Sequence, residues 1–398
     1  MRKHHLSCYY FFMEQNYDGI EISCECGCEH VLDPMCVEQN TIEKFKENLC
    51  QSRTKSVRVF LNRKFMKNSI IMNVIDEIRE LGVVVDEEVL FFDFAQEISA
   101  SSIVFKGEEY VVVAGDFKDI DVIKYYCKSI GLDLCVIVVD DFLDFSFSKY
   151  SRLYDGITYC FYRTVAPKHV ICFDELLNSN SLKIKKYLEL KSLAYFENAL
   201  AGYSEPNMIC KKINSKLMKA IKFSKAIKKV GNAFFLCVFL GRAMSFFGGT
   251  KNFFGAEMDV CGILEVKTKK SFFECYLLSS ELMLEVYATA LKNNLKLLNF
   301  DLNTRIDNIK RVLKLSAICC LGFVKRQKTI QELQKTTKLV SALRFMLAGL
   351  LEGKTMNISS NISKKDLLES LYVAPEFSGR FLMLNLLRDL GYLENLLK

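Results

Sequence analysis

The residues able to carry chemistry are unevenly placed. All four histidines, His4, His5, His30 and His169, fall in the first half of the chain, so the second half has no imidazole to bind a metal or move a proton. Cys24, Cys26, Cys28 and His30 are close enough in sequence to hold zinc. A structural zinc site usually takes two Cys pairs with CxxC spacing, so a CxC run with no second pair nearby favours a packed or exposed turn. At residues 111–126, VVVAGDFKDIDVIKYY has the strand, turn and helix order that lets backbone N–H groups and a helix N-terminus meet a phosphate. Only Gly115 is a glycine there; Asp116 and Phe117 place a negative charge and a large ring where a pyrophosphate would approach. One glycine after a strand is also a common C-terminal bend. At residues 252–265, NFFGAEMDVCGILE is built around Gly-Ala-Glu and continues with Met258, where a histidine would have suggested a metal.

The pattern of apolar residues says what must position these groups. From about 57 to 175, β-branched or aromatic runs (SVRVFL, EEVLFFD, EYVVVAG, LDLCVIVV, HVICFD) alternate with helical patterns such as FMKNSIIMNVIDEIRELG and DIDVIKYYCKSIG. Strands interleaved with helices imply a parallel α/β sheet covered on both faces. From about 178 onward apolar residues recur every three or four positions, as in SSELMLEVYATALKNNL. The expected architecture is a Rossmann-like, nucleotide-binding-like α/β domain over residues 1–177, its first 50 residues an N-terminal extension, followed by an all-α domain over 178–398.

Composition bounds the rest. A chain of 398 residues, 50% apolar and 25% charged, has room for two or three globular domains. Four prolines and no Ser/Gly-rich tract leave no obvious linker. Several of the sixteen cysteines (Cys135, Cys237, Cys319, Cys320) lie inside apolar runs, where free thiols behave as small hydrophobes. The opening MRKHHLSCYYFFME has too short an apolar run for a signal peptide, and FFLCVFLG at 234–241 is too short to span a bilayer, so a reducing cytoplasm is expected. A net charge of +7 gives no case for nucleic acid. Lys212, Lys216, Lys219, Lys222, Lys225 and Lys229 form a basic stripe at helical spacing. Such a stripe can meet anionic lipid or a phosphorylated partner, but a solvated face is the commoner outcome.

The 111–126 turn resembles the GGGSxxDxxK turn of the iron-containing alcohol dehydrogenase and dehydroquinate synthase superfamily, with Asp121 and Lys124 in register. Other segments follow in order and resemble the sn-glycerol-1-phosphate dehydrogenase branch: CECGCEH (24–30), VVDDFLDFSFS (138–148), APKHVICFDELL (166–177), GRAMSFFGGTKNFFGAEM (241–258) and GRFLMLNLLRDLGYLE (379–394). The resemblance implies reduction of dihydroxyacetone phosphate with NAD(P) and a divalent metal that polarises the carbonyl. Carried over by position, the family's metal ligands fall at Asn198 or Glu197, at Met258 and at Phe272, and a substrate-contacting histidine falls at Gly262. Of these only Glu197 is a ligand type suited to such an ion. On the cofactor side the family positions are Asn62, Gly115, Asp116, Phe117, Asp121, Lys124, Val139, Phe142 and Ser148, most with changed residues. Asp144 stands at the substrate position.

Three functions follow from these residues. A pseudoenzyme would keep the scaffold as a binding or regulatory partner, as a homo-oligomer or beside an active paralogue. A working NAD(P)H-dependent sn-glycerol-1-phosphate dehydrogenase would need ligands other than those at the family positions. A module for anionic ligands or membrane surfaces would use Lys212 to Lys229. Loss of the histidines favours the first, because hydride transfer to an unpolarised ketone forfeits several kcal/mol of charge stabilisation.

Overall fold

The computed structural model describes residues 21–22, 30–31, 34–90, 103, 107–139, 141–154, 158–177, 181–191, 193–194, 197, 230–246, 249–250, 253–292, 301, 304–305, 307–308, 311, 362–376 and 382–393. Cys24, Cys26, Cys28, Asn198 and the stripe from Lys212 to Lys229 lie outside the described residues, and of His30 only the backbone is described. The chain forms two compact units: Met1–Lys185 with Phe223–Thr250, and Lys186–Lys222 with Lys251–Lys398.

The first unit is built on a six-stranded, wholly parallel sheet. In chain order its strands are β3 (Cys36–Gln39), β4 (Ser56–Asn62), β5 (Val84–Leu90), β6 (Tyr110–Gly115), β7 (Asp133–Val138) and β10 (His169–Cys172). They lie in the order β3-β10-β7-β6-β4-β5. Two antiparallel pairs accompany it, β1 (Glu21–Ile22) with β2 (His30–Val31) and β8 (Tyr150–Tyr154) with β9 (Tyr159–Arg163). Every residue of β6 is buried, as a parallel strand covered on both faces requires, and its sequence YVVVAG is correspondingly apolar throughout.

Helices α1 (Glu43–Gln51), α2 (Ser69–Glu80) and α3 (Phe117–Ile130) connect the strands. On one face of the sheet, Phe45 and Leu49 of α1 and Ile71, Val74, Ile75 and Ile78 of α2 join Val57, Val59, Val112, Cys135 and Ile137 in one apolar core. Asn68 caps α2 by accepting from the N–H groups of Ile70 and Ile71. Two further helices, α4 (Asp174–Leu177) and α5 (Ser181–Leu190), follow the last strand.

Three features were not anticipated from periodicity. The expected N-terminal extension of residues 1–50 holds an edge strand, Cys36–Gln39, and all but the last residue of a core helix, Glu43–Gln51, of the sheet. The β8–β9 pair follows the loop at 141–149. Helix α6 (Val230–Phe246), which lies past residue 177 in the helical stretch of the sequence, falls in the unit of the sheet. The physical reason is its composition: VGNAFFLCVFLGRAMSF is apolar on every side, so it needs burial all round. It finds that burial partly against the loop after β7, where Phe234 packs edge-on at 5.7 Å against both Phe142 and Phe147.

The second unit is helical among its described residues: α7 (Ala256–Thr268), α8 (Phe272–Lys292), α9 (Lys364–Val373) and α10 (Met383–Asp389). Within it, Lys267 of α7 pairs with Asp366 and Glu369 of α9. No described helix is long and apolar enough to cross a membrane.

Candidate functional site

The strand order places a ligand-binding position. From β4 the chain moves to β5 on one side, and from β6 it moves to β7 on the other, so the carboxyl ends of β4 and β6 form the topological switch point at which open α/β sheets bind ligands. Asn62 ends β4, Gly115 ends β6, and α3 begins immediately after.

The N-terminus of α3 is closed by the chain itself. Asp116 is its N-cap, and one carboxylate oxygen accepts from the N–H groups of Lys118 at 2.9 Å and Asp119 at 3.3 Å. Asp119 answers reciprocally: its Oδ2 accepts from the Asp116 N–H at 2.9 Å and from the Asn62 side-chain amide at 2.7 Å. The Phe117 N–H donates to the Asp141 carbonyl at 2.9 Å. The backbone donors of residues 116 to 119, those a helix start leaves for a phosphate, are therefore all taken. Gly115 permits this closure, since a Cβ there would stand 2.4 Å from Asp119 Oδ2 and 2.5 Å from Asp119 Cβ. Burial, and then the charge of Asp116, push the Asp119 carboxyl up to about 7. Phe117 is buried and packs edge-on against Phe145 at 5.9 Å.

The other sheet-unit positions have internal partners too. Asp121 and Lys124 are wholly buried. Asp121 accepts from the Arg152 N–H at 2.8 Å, while Lys124 Nζ donates to the carbonyls of Phe145 at 2.7 Å and Tyr150 at 2.5 Å, with Asp121 Oδ1 at 3.6 Å. Burial raises Asp121 to about 7 and lowers Lys124 to about 8, and the attraction between the two opposes both shifts. Together they fasten α3 to the loop at 141–149 and to β8. The Ser148 hydroxyl donates to the Phe145 carbonyl at 2.9 Å and accepts from the Tyr150 N–H at 3.0 Å. Asp144 is fully buried in the same loop, with Oδ1 accepting from the Phe145 N–H at 3.1 Å, and Val139 and Phe142 lie in the core. Helix α6 closes on this loop at Gly241, whose missing Cβ would stand 2.3 Å from the Asp144 carbonyl oxygen.

The family metal positions lie in the second unit. Glu197 is completely buried; it accepts from the Tyr287 hydroxyl through Oε1 and from the Met383 N–H at 2.5 Å through Oε2. Burial, then the Glu197 charge, drives the Tyr287 phenol well above its ordinary range, so the hydroxyl keeps its proton and donates. Gly255, just ahead of α7, lets two carboxylates approach: a Cβ there would meet Glu257 Oε2 at 2.4 Å and Glu197 Cγ at 2.7 Å. Met258 is buried on the first turn of α7, and Phe272 stacks on Tyr276 at 5.5 Å with Tyr187 edge-on at 6.0 Å. Gly262 is likewise in the buried body of α7.

No protein-family model matches the chain, and no curated protein does. Solved structures do match. The archaeal halo-thermophilic Red Sea brine pool alcohol dehydrogenase ADH/D1 bound to NZQ aligns with a TM-score of 0.55 at 11% identity, over 94% of this chain and 99% of that one. The iron-containing alcohol dehydrogenase of Thermococcus thioreducens gives 0.52 at 11% identity, over 92% and 99%. NADH-dependent butanol dehydrogenase A of Thermotoga maritima gives 0.50 at 12% identity, over 92% and 96%. The chain has the fold of the iron-containing alcohol dehydrogenases.

On this dehydrogenase fold the residues present do not fit the groups that the family resemblance implies. A dinucleotide pyrophosphate needs free N–H donors at the turn after β6, and there three are held by the carboxylates of Asp116 and Asp119 and the fourth by the Asp141 carbonyl. A divalent cation needs about three well-placed ligands; a thioether and a phenyl ring occupy two of the positions, which leaves Glu197, held by the Tyr287 hydroxyl and the Met383 N–H, as a single carboxylate. Sequence reading missed Asp119, Gly241, Glu257 and Tyr287. The spacing of Asp116 and Asp119 is a capping-box signal that would have found the first. Glu197 and Tyr287 are 90 residues apart, with no local signal joining them.

Proposed function

We propose that this dehydrogenase-fold chain is a degenerate relative of the sn-glycerol-1-phosphate dehydrogenases that has given up nicotinamide and metal chemistry and acts as a binding or regulatory partner in the cytoplasm. It works as a homo-oligomer or beside an active paralogue. The observation that carries this reading is the self-capped start of α3, where Asp116 and Asp119 hold the backbone donors that a pyrophosphate would use. The apolar filling at Met258 and Phe272 supports it independently, in the other unit.

Calorimetric titration of the full chain with NADH and with NADPH, together with an assay of dihydroxyacetone phosphate reduction, tests the reading. Displacing three internal hydrogen bonds costs roughly 3 kcal/mol at about 1 kcal/mol each, which weakens a cofactor about 100-fold before charge repulsion is counted. Binding should therefore be absent or far weaker than micromolar, with no turnover. Low-micromolar affinity for either nucleotide, or reduction above the protein-free rate, would overturn it.

A further inference from the structure

Away from the switch point, three side chains of metal-binding type converge at the amino end of the sheet edge. Cys36 and Glu38 lie on β3 and His169 opens β10; His169 is the ladder partner of Cys36, and Ile171 that of Glu38. Residues two apart on a strand, and partners across a parallel ladder, share a face of the sheet, so the three side chains emerge together. One ligand atom from each lies within 4.8 Å of the other two, and no other such group of three occurs among the described residues.

The surroundings suit an ion. Glu38 and His169 are only 4% and 6% exposed, whereas Cys36 is half-buried and leaves a way in from solvent. The Nδ1 atom of His169 is buried without a hydrogen-bond partner among the described residues, which is unusual for a structural histidine. The Phe45 ring covers the imidazole at 5.2 Å and is itself flanked by Tyr110 at 5.6 Å. Glu38 is held in place by the N–H groups of Lys44 and Phe45 at 2.8 and 2.9 Å, hydrogen bonds of the kind that orient a ligating carboxylate and leave each oxygen a second lone pair.

We propose that Cys36, Glu38 and His169 form a binding site for a borderline-soft divalent cation, zinc by ligand type, that clips the short edge strand β3 to β10. A thiolate, an imidazole and a carboxylate are the ligands zinc selects, and three protein ligands leave a fourth position open on the side of the half-buried sulfur. Binding releases the Cys36 thiol proton to solvent as the sulfur–metal bond forms. Because the site lies wholly in the sheet unit and uses none of the dehydrogenase positions, it stands whether or not the chain binds nucleotide.

The test uses the untagged full chain, stripped with chelator and titrated with Zn2+ against a chromophoric competitor, then with Co2+. The wild type should bind one more equivalent of zinc than Cys36→Ser or His169→Ala. Its cobalt form should show a thiolate-to-cobalt charge-transfer band that Cys36→Ser lacks. In each variant the affinity at this site should fall at least about 100-fold, beyond the ~10–100-fold typical of losing an outer-shell partner. A variant with Cys24, Cys26 and Cys28 all changed to Ser separates the other cysteine cluster and should keep the band. Zinc should also raise the Tm of the wild type but not of Cys36→Ser, a near-isosteric change at a half-buried position. A wild type that takes up no zinc, binding unchanged by both single substitutions, or a band lost only in the triple variant overturns the proposal.

Discussion

Replacing Asp119 by asparagine isolates the energetic cost of the sealed turn. In the native chain Asp119 is buried beside Asp116, and its carboxyl is pushed from the usual 3.8 up to about 7. The folded state therefore holds a proton that the unfolded chain releases near pH 4. Below that pH the group costs nothing. Between about 4 and 7 stability falls as pH rises, and above 7 the full penalty stands. Moving from 3.8 to about 7, at ~1.4 kcal/mol per tenfold change in proton affinity, sets a ceiling of roughly 4 kcal/mol. In Asp119→Asn the carboxamide oxygen can still accept from the Asp116 N–H and the Asn62 amide, so the pH-dependent part should vanish while the seal stays shut. The introduced amide N–H group takes the place of Oδ1, which has no partner, and adds a cost independent of pH. The readout is therefore the slope: in urea unfolding at pH 5, 6, 7 and 8, Asp119→Asn should gain about 1–3 kcal/mol on the wild type between pH 5 and pH 8. Parallel pH profiles, or a variant that loses ground as pH rises, would refute the reasoning.

Three further outcomes follow from the geometry. Gly241→Ala puts a Cβ 2.3 Å from the Asp144 carbonyl oxygen and 2.9 Å from Phe147, where backbone meets backbone with no flexible side chain to yield at the oxygen. Overpacking of this kind costs about 1–3 kcal/mol and should lower the Tm by several degrees, with an unchanged Tm counting against the close approach. Tyr287→Phe strips Glu197 Oε1 of its hydroxyl donor inside the second unit, and the urea midpoint should fall by an amount equivalent to about 1–3 kcal/mol. Met258→His should destabilise by a similar ~1–3 kcal/mol without gain of stoichiometric metal or of ketone reduction; elemental analysis and the NADH assay check both, and an active variant would show that the neighbouring ligands are intact.

The parts of this fold that were legible in the sequence are those specified by near neighbours. YVVVAG, and DLCVIV after its first residue, are unbroken apolar runs because both faces of a parallel sheet are covered. The strand Cys36–Gln39 left no such trace: at four residues it is too short for a period to show, and its place at the sheet edge is fixed by the partner His169–Cys172, far along the chain. Helix Val230–Phe246 announced that it would be buried, but an all-round apolar sequence does not say against what. The candidate site divides in the same way. The charge of Asp116 and the ring of Phe117 are plain in the sequence, but not that the ring is buried against Phe145 or that Asn62 reaches Asp119 across 57 residues. At the positions where the resemblance puts metal ligands, Met258 and Phe272 can be read directly from the sequence, but not the engagement of Glu197 by Tyr287 and by the Met383 N–H, 90 and 186 residues away.

Asp121, Lys124 and Ser148 carry a more general point about residues that match a family pattern. Each matches the family pattern by position, and each is engaged in the joint between α3, the loop at 141–149 and β8. Removing Lys124 would leave two buried carbonyls and the carboxylate of Asp121 short of a donor, a cost of several kcal/mol that has nothing to do with a nucleotide. Such residues serve the stability of the scaffold whether or not a nucleotide binds. A fully buried apolar side chain contributes about 1.5–3 kcal/mol, which is what Met258 and Phe272 supply in the second unit. Folding stability by itself favours an apolar side chain over histidine at the buried positions of Met258 and Phe272, and favours keeping both members of the buried Asp121–Lys124 pair over removing one.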